Sequence, residues 1–453
     1  MNPVQSFQDN PTFPSESSYY NHAEKRKRKH LTLLRGIAQA PGYSSIYLRQ
    51  VPRCVHPSIH KYNCPQHKMA FQKEEKDQLA LELTRALSHT PYICSSLTHL
   101  SGGTANFLFR GILTHPLADG TQTVVVKHSK EFVAVNRNFS LEVSRCLFEE
   151  TMLNALDGLP NTTTENITIQ TPHLYEFDRK QNTQILEDLS DTIDLKTVLV
   201  SAEAGVVLPQ SISTAIGCAV GVWLRAFHSW TAQPAQANLR KEIAANEPMR
   251  KLRYQISYGA FIEIVQKFPE VWDEYGTILQ QVQDMATEEY AQSIHDPGVE
   301  DWGVIHADFW AGNVLIPNTP SLEKRQAEGI DLYVIDWELS QFGRKEYDVG
   351  QMIGDLYERK HFLDVDSAIW AMQGFVAGYG PLDHAMAFRA AIHAGVHLIC
   401  WYIRRNPTAP FLEDPKLIHG AIRTGTDFIV KAWEKDRVWF ENSPLACLFA
   451  STT

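Results

Sequence analysis

The sequence predicts an α+β chain with two lobes: a small one built on an antiparallel sheet with one helix, then a larger, mainly helical one. Three observations carry this. Short strand-like runs joined by glycine-containing turns occupy 97–127. A helical pattern and a further strand pair follow, up to Leu186. Beyond Asp191 the periodicity is helical, apart from one β-branched interruption between Val304 and Ile335. At 453 residues and 44% apolar composition, the chain can bury a large core and has room for one two-lobed unit plus a tail.

Residues 1–68 read as a disordered or poorly ordered tail, because Pro, Ser, Tyr and His mix with the basic run 25–29 without apolar periodicity. That run is either a nuclear signal or solvated charge. Acidic Asp9, Glu16 and Glu24 argue against a mitochondrial transit peptide, and no secretory signal core is visible. Domain-like sequence starts abruptly at Met69, which suggests translation from there, and Glu74–Leu87 reads as an amphipathic helix.

The first lobe is assigned to 69–190. Leu97–Leu100, Phe107–Leu113 and Thr123–Lys127 are its opening strands, and a helix follows with Phe148, Met152, Leu153 and Leu156 on one face. Strands around Leu174–Asp178 and Thr183–Leu186 complete it. The second lobe, 191–453, contains helices over Ile212–Trp230, Tyr258–Lys267, Trp272–Gln292, Ser367–Tyr379, His384–Arg405 and Pro415–Trp433. Val314–Ile316 and Tyr333–Ile335 form a hairpin lying over them.

Charge is unevenly spread, +7 over 1–68 and −17 over 69–453. An acidic body repels phosphate backbones, which disfavours nucleic acid as a partner and favours cationic small molecules. No run of eighteen apolar residues occurs, so no membrane span is expected. Seven scattered cysteines suit reduced thiols and a cytoplasmic location. Cys54, His56, His60, Cys64 and His67 cluster, but with no common zinc spacing.

The chemistry concentrates in His306-Ala307-Asp308-Phe309-Trp310-Ala311-Gly312-Asn313, followed one strand later by Ile335-Asp336-Trp337-Glu338. Phosphoryl transfer needs one carboxylate to hold and deprotonate an acceptor hydroxyl, and separate oxygen ligands for Mg²⁺ on the ATP phosphates. Asp, four residues, Asn, then an Asp at the end of the next strand meets that need. Lys127 ends an apolar strand and must send its ammonium to a partner; a phosphate plus a helix carboxylate is one solution. Glu149 is the preferred partner over Glu150, because it shares a helix face with Leu153 and Leu156, and Lys130 competes with Lys127. Ser101, Gly102, Gly103 and Asn106 lie in a turn placed to cover phosphates, although an unliganded hairpin turn has the same composition. Glu187 and Leu189, where an apolar strand runs into acids, lie where an adenine hinge between the lobes is expected, with an ordinary strand end as the alternative and only position in the order favouring the hinge.

With these residues the chain resembles the aminoglycoside phosphotransferase and choline kinase-like superfamily, of protein-kinase-like fold, in particular its methylthioribose-kinase-like and fungal small-molecule kinase members. The resemblance covers about 97–433 and rests on LSGGTANFLFRG, HADFWAGNVLI, YVIDWELSQFG and DVGQMIGDLY. It implies Asp308 as catalytic base, Asn313 and Asp336 as Mg²⁺ ligands, Lys127 on the ATP phosphates, Glu149 as its ion-pair partner, and adenine at the hinge. Glu338 adds a metal or water contact or is structural. Ala307 stands where Gly is commoner in the family. Trp310, Asp355, Trp401, Arg404 and Arg405 are candidates for acceptor contacts, with core packing or solvated charge as their alternative. The implied partner is a small-molecule hydroxyl acceptor, and the implied assembly a monomer or homodimer. A protein kinase is disfavoured, since no D-F-G or A-P-E segment lies between Asp336 and Asp355. A catalytically silent nucleotide-binding regulator is disfavoured by the complete Asp308, Asn313 and Asp336 set.

Overall fold

Alternating burial along Phe107–Leu113 and Thr123–His128 leaves one apolar face that a helix must cover, and this sets up the first lobe. The computed structural model describes residues 73–450 apart from 102, 202, 293–300, 320 and 402–413, and the side chain of Trp401 is also outside the description. The first stretch of chain runs α1 (Lys73–Ala86), β1 (Cys94–His99), β2 (Phe107–Leu113), β3 (Thr123–His128), β4 (Phe132–Val133), β5 (Asn136–Ser140), α2 (Arg145–Leu156), β6 (Thr162–Thr164), β7 (Ile167–Gln170), β8 (Leu174–Asp178) and β9 (Thr183–Glu187). Five of these strands make an antiparallel sheet of order β1-β2-β3-β9-β8. Leu79 and Leu83 of α1 pack with Phe107, Phe109, Val124, Val126 and Ile185 on one face. Because strand side chains alternate, Val125 and Lys127 fall on the other face, toward α2.

The second lobe begins with β10 (Thr192–Asp194) and α3 (Leu195–Leu199), then α4 (Gln210–Ala232), α5 (Ala237–Ile243), α6 (Glu247–Ile256), α7 (Phe261–Val265) and α8 (Pro269–Ala291). Four short strands, β11 (Trp302–Ile305), β12 (Val314–Pro317), β13 (Ile330–Val334) and β14 (Gln341–Arg344), precede α9 (Glu346–Leu363), α10 (Asp366–Tyr379), α11 (His384–Trp401) and α12 (Pro415–Trp433). The expected hairpin is β12 with β13, paired Val314 to Val334. Part of the sequence-based helix over 384–405 lies outside the described residues.

One boundary needs correcting. Strands β6 and β7 precede residue 190, yet β7 pairs in parallel with β13, Ile330 opposite Ile167, in a sheet of order β10-β12-β13-β7-β6. A cut at 190 therefore misplaces 162–170, which belongs to the second lobe's sheet. Ile167 and Ile169 are buried and join that lobe's core, so the apolar alternation of the pair is satisfied in the second lobe and not in the first.

Helices α4 and α10 pack almost backbone to backbone. A Cβ on Gly217 would sit 2.0 Å from Ala371 O, and one on Gly378 2.0 Å from Cys218 O. Trp223 and Phe227 of α4 then support the strand loops above: Trp223 stacks on Phe309 at 6.2 Å, and Phe227 meets Trp337 edge-on at 5.2 Å. Among the described residues, no helix is long and apolar enough to cross a membrane.

Candidate active site

Strand β3 delivers Lys127 into a buried cluster. Its Nζ lies 2.7 Å from Glu149 Oε1 on α2, 2.7 Å from Asp336 Oδ1 and 4.0 Å from Glu338 Oε2. Burial pulls the ammonium down, but Asp336, Glu149 and Glu338 outweigh it and hold its pKa well above the usual lysine value. Lys127 is thus a cation at any working pH. Burial raises Glu149 to about 7, against the opposing pull of Lys127. For Asp336, desolvation is more than offset by Lys127, and the carboxyl stays below the ordinary range. The competitor Glu150 pairs instead with Arg179, at 2.8 Å on the surface side.

Asp336 caps the turn after β13 with φ +69, a left-handed conformation that Asp tolerates better than most residues. Ile335 N donates to Asn313 O at 3.0 Å, so the hairpin sets Asn313 and Asp336 beside each other at its open end. Asn313 Nδ2 donates to Asp308 O at 2.9 Å and to Asp308 Oδ2 at 3.2 Å. The amide nitrogen is thereby committed to Asp308, and the amide oxygen points the other way.

The turn carrying Asp308 is held from below. Ala307 has φ +63, which accounts for a preference for Gly at such a position. Both oxygens of Asp348, on the first turn of α9, accept from His306 N and Ala307 N at 2.8 Å, and His228 Nε2 lies 3.1 Å from the same carboxylate. Asp308 N donates to His306 Nδ1 at 3.2 Å, so the imidazole proton is on Nε2, which donates to Ile335 O at 3.0 Å. Asp308 Oδ1 accepts from Gln351 Nε2 at 2.8 Å and has Arg253 Nη1 at 3.6 Å.

Glu338 is 1% exposed and accepts from Arg145 Nε at 3.0 Å and Asn106 Nδ2 at 2.8 Å. Asn106 Oδ1 in turn accepts from Ser129 and from Arg145 Nη2, both at 2.7 Å. This makes Glu338 and Asn106 parts of a buried brace that fixes the glycine turn and α2 against the Asp336 turn. Ser101 is exposed and Gly103 half-buried at the rim of that turn, and Gly102 lies outside the described residues. Glu187 Oε2 accepts from His173 N at 3.1 Å, Leu189 O accepts from Thr192 Oγ1 at 2.7 Å, and Asp188 between them takes two hydrogen bonds from Arg110 of β2.

Trp310 lies across Gly312, with Lys196 Nζ 5.3 Å from its ring centroid. Asp355 is fully buried, accepting from Ala311 N at 3.2 Å and from Arg359 at 2.5 Å, so it supports the loop from beneath. Arg404 and Arg405 lie outside the described residues. The sequence reading missed Arg145, Arg253, Asp348 and Gln351. Arg145 was legible, standing four residues before Glu149 on the same helix face. Asp348 and Gln351 lie in α9, which was not assigned as a helix, and Arg253 in α6, also unassigned.

A fungal protein described as phosphotransferase FrzJ, from Cladobotryum sp., is 30% identical over 380 residues, spanning 82% of this chain and 96% of that protein. The chain belongs to the same family as that phosphotransferase. This kinase is also 24% identical to a 4-hydroxytryptamine kinase of Psilocybe cubensis over 351 residues, 74% of the chain and 87% of that protein. The choline/ethanolamine kinase family protein of Mesorhizobium loti aligns with TM-score 0.43 at 14% identity, covering 79% of the kinase and 98% of that chain. No family model matches the kinase.

Proposed function

We propose that the chain transfers the γ-phosphoryl group of Mg²⁺-bound ATP directly to a hydroxyl of a small metabolite, without a covalent enzyme intermediate. The observation that carries this is Lys127, buried between Glu149 and Asp336 at 2.7 Å each, with Asp336 beside the turn that holds Asn313 and Asp308. Asp308 accepts the acceptor's proton and orients the hydroxyl. Lys127, anchored by Glu149, moves part of its charge from Asp336 to the phosphates when nucleotide enters. Asp336 and the oxygen of Asn313 are hard donors that suit Mg²⁺ and would hold it. Held by these two residues, Mg²⁺ would supply charge neutralisation at the phosphates. The backbone around Glu187 and Leu189 receives adenine, and the turn containing Ser101, Gly102 and Gly103 covers the phosphates. Trp310 borders the acceptor. Glu338 and Asp355 act as supports, which their burial and existing partners favour over direct contact. The five described cysteines are free thiols, in keeping with a cytoplasmic enzyme.

The test is transfer from labelled ATP across a metabolite panel. Asp308→Asn should lower kcat by about 10²–10⁴ with little change in ATP affinity. Asp336→Asn should weaken Mg²⁺-dependent nucleotide binding as well as transfer. Full activity in either variant, with the fold retained by circular dichroism, would end this assignment.

A further inference from the structure

Two sets of contacts hold the turn that carries Asp308, and they act on different atoms. The backbone is fixed by Asp348, which accepts from His306 N and Ala307 N, and by Asp355, which accepts from Ala311 N. The Asp308 carboxylate has a separate hold: Oδ2 accepts from Asn313, and Oδ1 accepts from Gln351 Nε2 at 2.8 Å. A carboxylate on a fixed backbone still turns about its side-chain torsions, so these two amides decide where its oxygens point.

Gln351 can hold Asp308 in only one of its two orientations, because a flipped amide would set an oxygen against the carboxylate. Arg253 removes that choice. Its Nη2 donates to Gln351 Oε1 at 2.7 Å, and a guanidinium has only donors, so the amide oxygen must face Arg253 and the amide nitrogen must face Asp308. Arg253 Nη1 also stands 3.6 Å from Asp308 Oδ1, and among the described residues it is the one cation within ion-pair range of that carboxylate.

A residue that aims another must itself be held, and α6 is pinned along its length. Asn246, just before the helix, donates to Glu338 O at 3.2 Å and to Ser340 O at 2.8 Å, on the turn that follows Asp336. Tyr254 stacks on Tyr290 of α8 with centroids 4.8 Å apart, and the Arg250 guanidinium lies 4.6 Å over that ring. Arg253 stands about two helical turns beyond Asn246, so one helix touches the Asp336 turn at its start and the Asp308 side chain further on.

We propose that Arg253 is a positioning residue for phosphoryl transfer: through Gln351 it fixes the Asp308 carboxylate with Oδ1 turned to the amide, leaving Oδ2 to meet the acceptor hydroxyl, and α6 sets that position relative to the Asp336 turn. The proposal rests on the reading of Asp308 as the base. A misplacement of about 1 Å at a reacting group costs about 10² in rate, so a hold of this kind is visible in kcat.

Two experiments on the full chain test it, and the first needs no turnover. In crystal structures of wild type and Arg253→Gln, the Asp308 carboxylate of the variant should be displaced by about 1 Å or more while the backbone of 306–311 stays in place. A carboxylate unmoved and still bonded to Gln351 would overturn the proposal, and so would a backbone that shifts with it, since Arg253 would then be a general prop. The second is hydrolysis of labelled ATP with Mg²⁺, water standing in for the acceptor. Arg253→Gln and Gln351→Leu should each lower kcat about tenfold or more with KM for ATP changed less than about threefold, and Arg253→Lys should keep part of the rate. The double variant should run within about threefold of Gln351→Leu alone, because both changes break one chain of contacts. Losses that multiply in the double variant, or that sit in KM, would overturn the proposal. Hydrolysis indifferent to Asp308→Asn defeats the base, whereas hydrolysis slowed by Asp308→Asn and untouched by Arg253→Gln defeats the positioning role alone. The crystallographic comparison decides where water proves too poor an acceptor, and Arg253→Lys and Gln351→Leu carry both experiments if Arg253→Gln fails to fold.

Discussion

At the scale of the residue, the site depends on charges buried in partnership. Arg145 is fully buried, and its removal would leave the buried Glu338 anion with only the Asn106 amide and the Lys127 ammonium 4.0 Å away under the Asp336 turn. Arg145→Met should cost about 3–5 kcal/mol in chemical denaturation, and adding Glu338→Met should recover much of it. Glu149 makes a second prediction. Its folded pKa, about 7, lies above the ordinary carboxyl value, so the folded state binds its proton more tightly than the unfolded chain. The stability of wild type relative to Glu149→Gln should therefore fall as pH rises from the ordinary carboxyl range to about 7 and level off above. Urea midpoints of both proteins across that range measure it, and a rise over the same interval would contradict it. Asp308, Asn313, Asp336, Lys127 and Glu149 were readable because each has a spacing or a neighbouring strand that points to it. Arg253 was not, since a charged residue inside a polar helical stretch looks like a solvated one until its fold partners are known.

At the scale of the element, the helices with plain apolar faces were legible, and Pro415–Trp433 has the bounds read from sequence. Helix α9 was not. Glu346, Asp348, Gln351, Asp355, Glu358 and Arg359 are all buried on it, so its polar residues face inward and the amphipathic signal disappears. The same polar face clamps the turn of Asp308, which is why a functional helix was the one hardest to read. Strands β6 and β7 were missed because they are only three and four residues long and rich in threonine. The α4–α10 contact supports a third prediction. Gly217→Val must push two backbones apart, and it should lower stability by about 1–3 kcal/mol or more, seen as a reduced Tm. Gly205, whose added Cβ would meet nothing, is the control, and its change to Ala should be nearly silent.

At the scale of the whole molecule, the Lys127 cluster and the Asn106 brace join the two lobes before any ligand binds. Nucleotide that binds only the folded form should stabilise it further. Saturating ATP with Mg²⁺, at about 100 times its Kd, should add about 2.7 kcal/mol, and chelation should remove most of that gain together with transfer. Thermal shift with and without chelator measures both, and an unchanged shift would speak against Asp336 and Asn313 as ion ligands. The chain also passes between the lobes more often than a single hinge requires, because 162–170 is woven into the second lobe's sheet before β8 and β9 return to the first. Three tethers in place of one act like a stitched seam. A single protease nick at the hinge would therefore not let the halves drift apart, because two further connections still hold them.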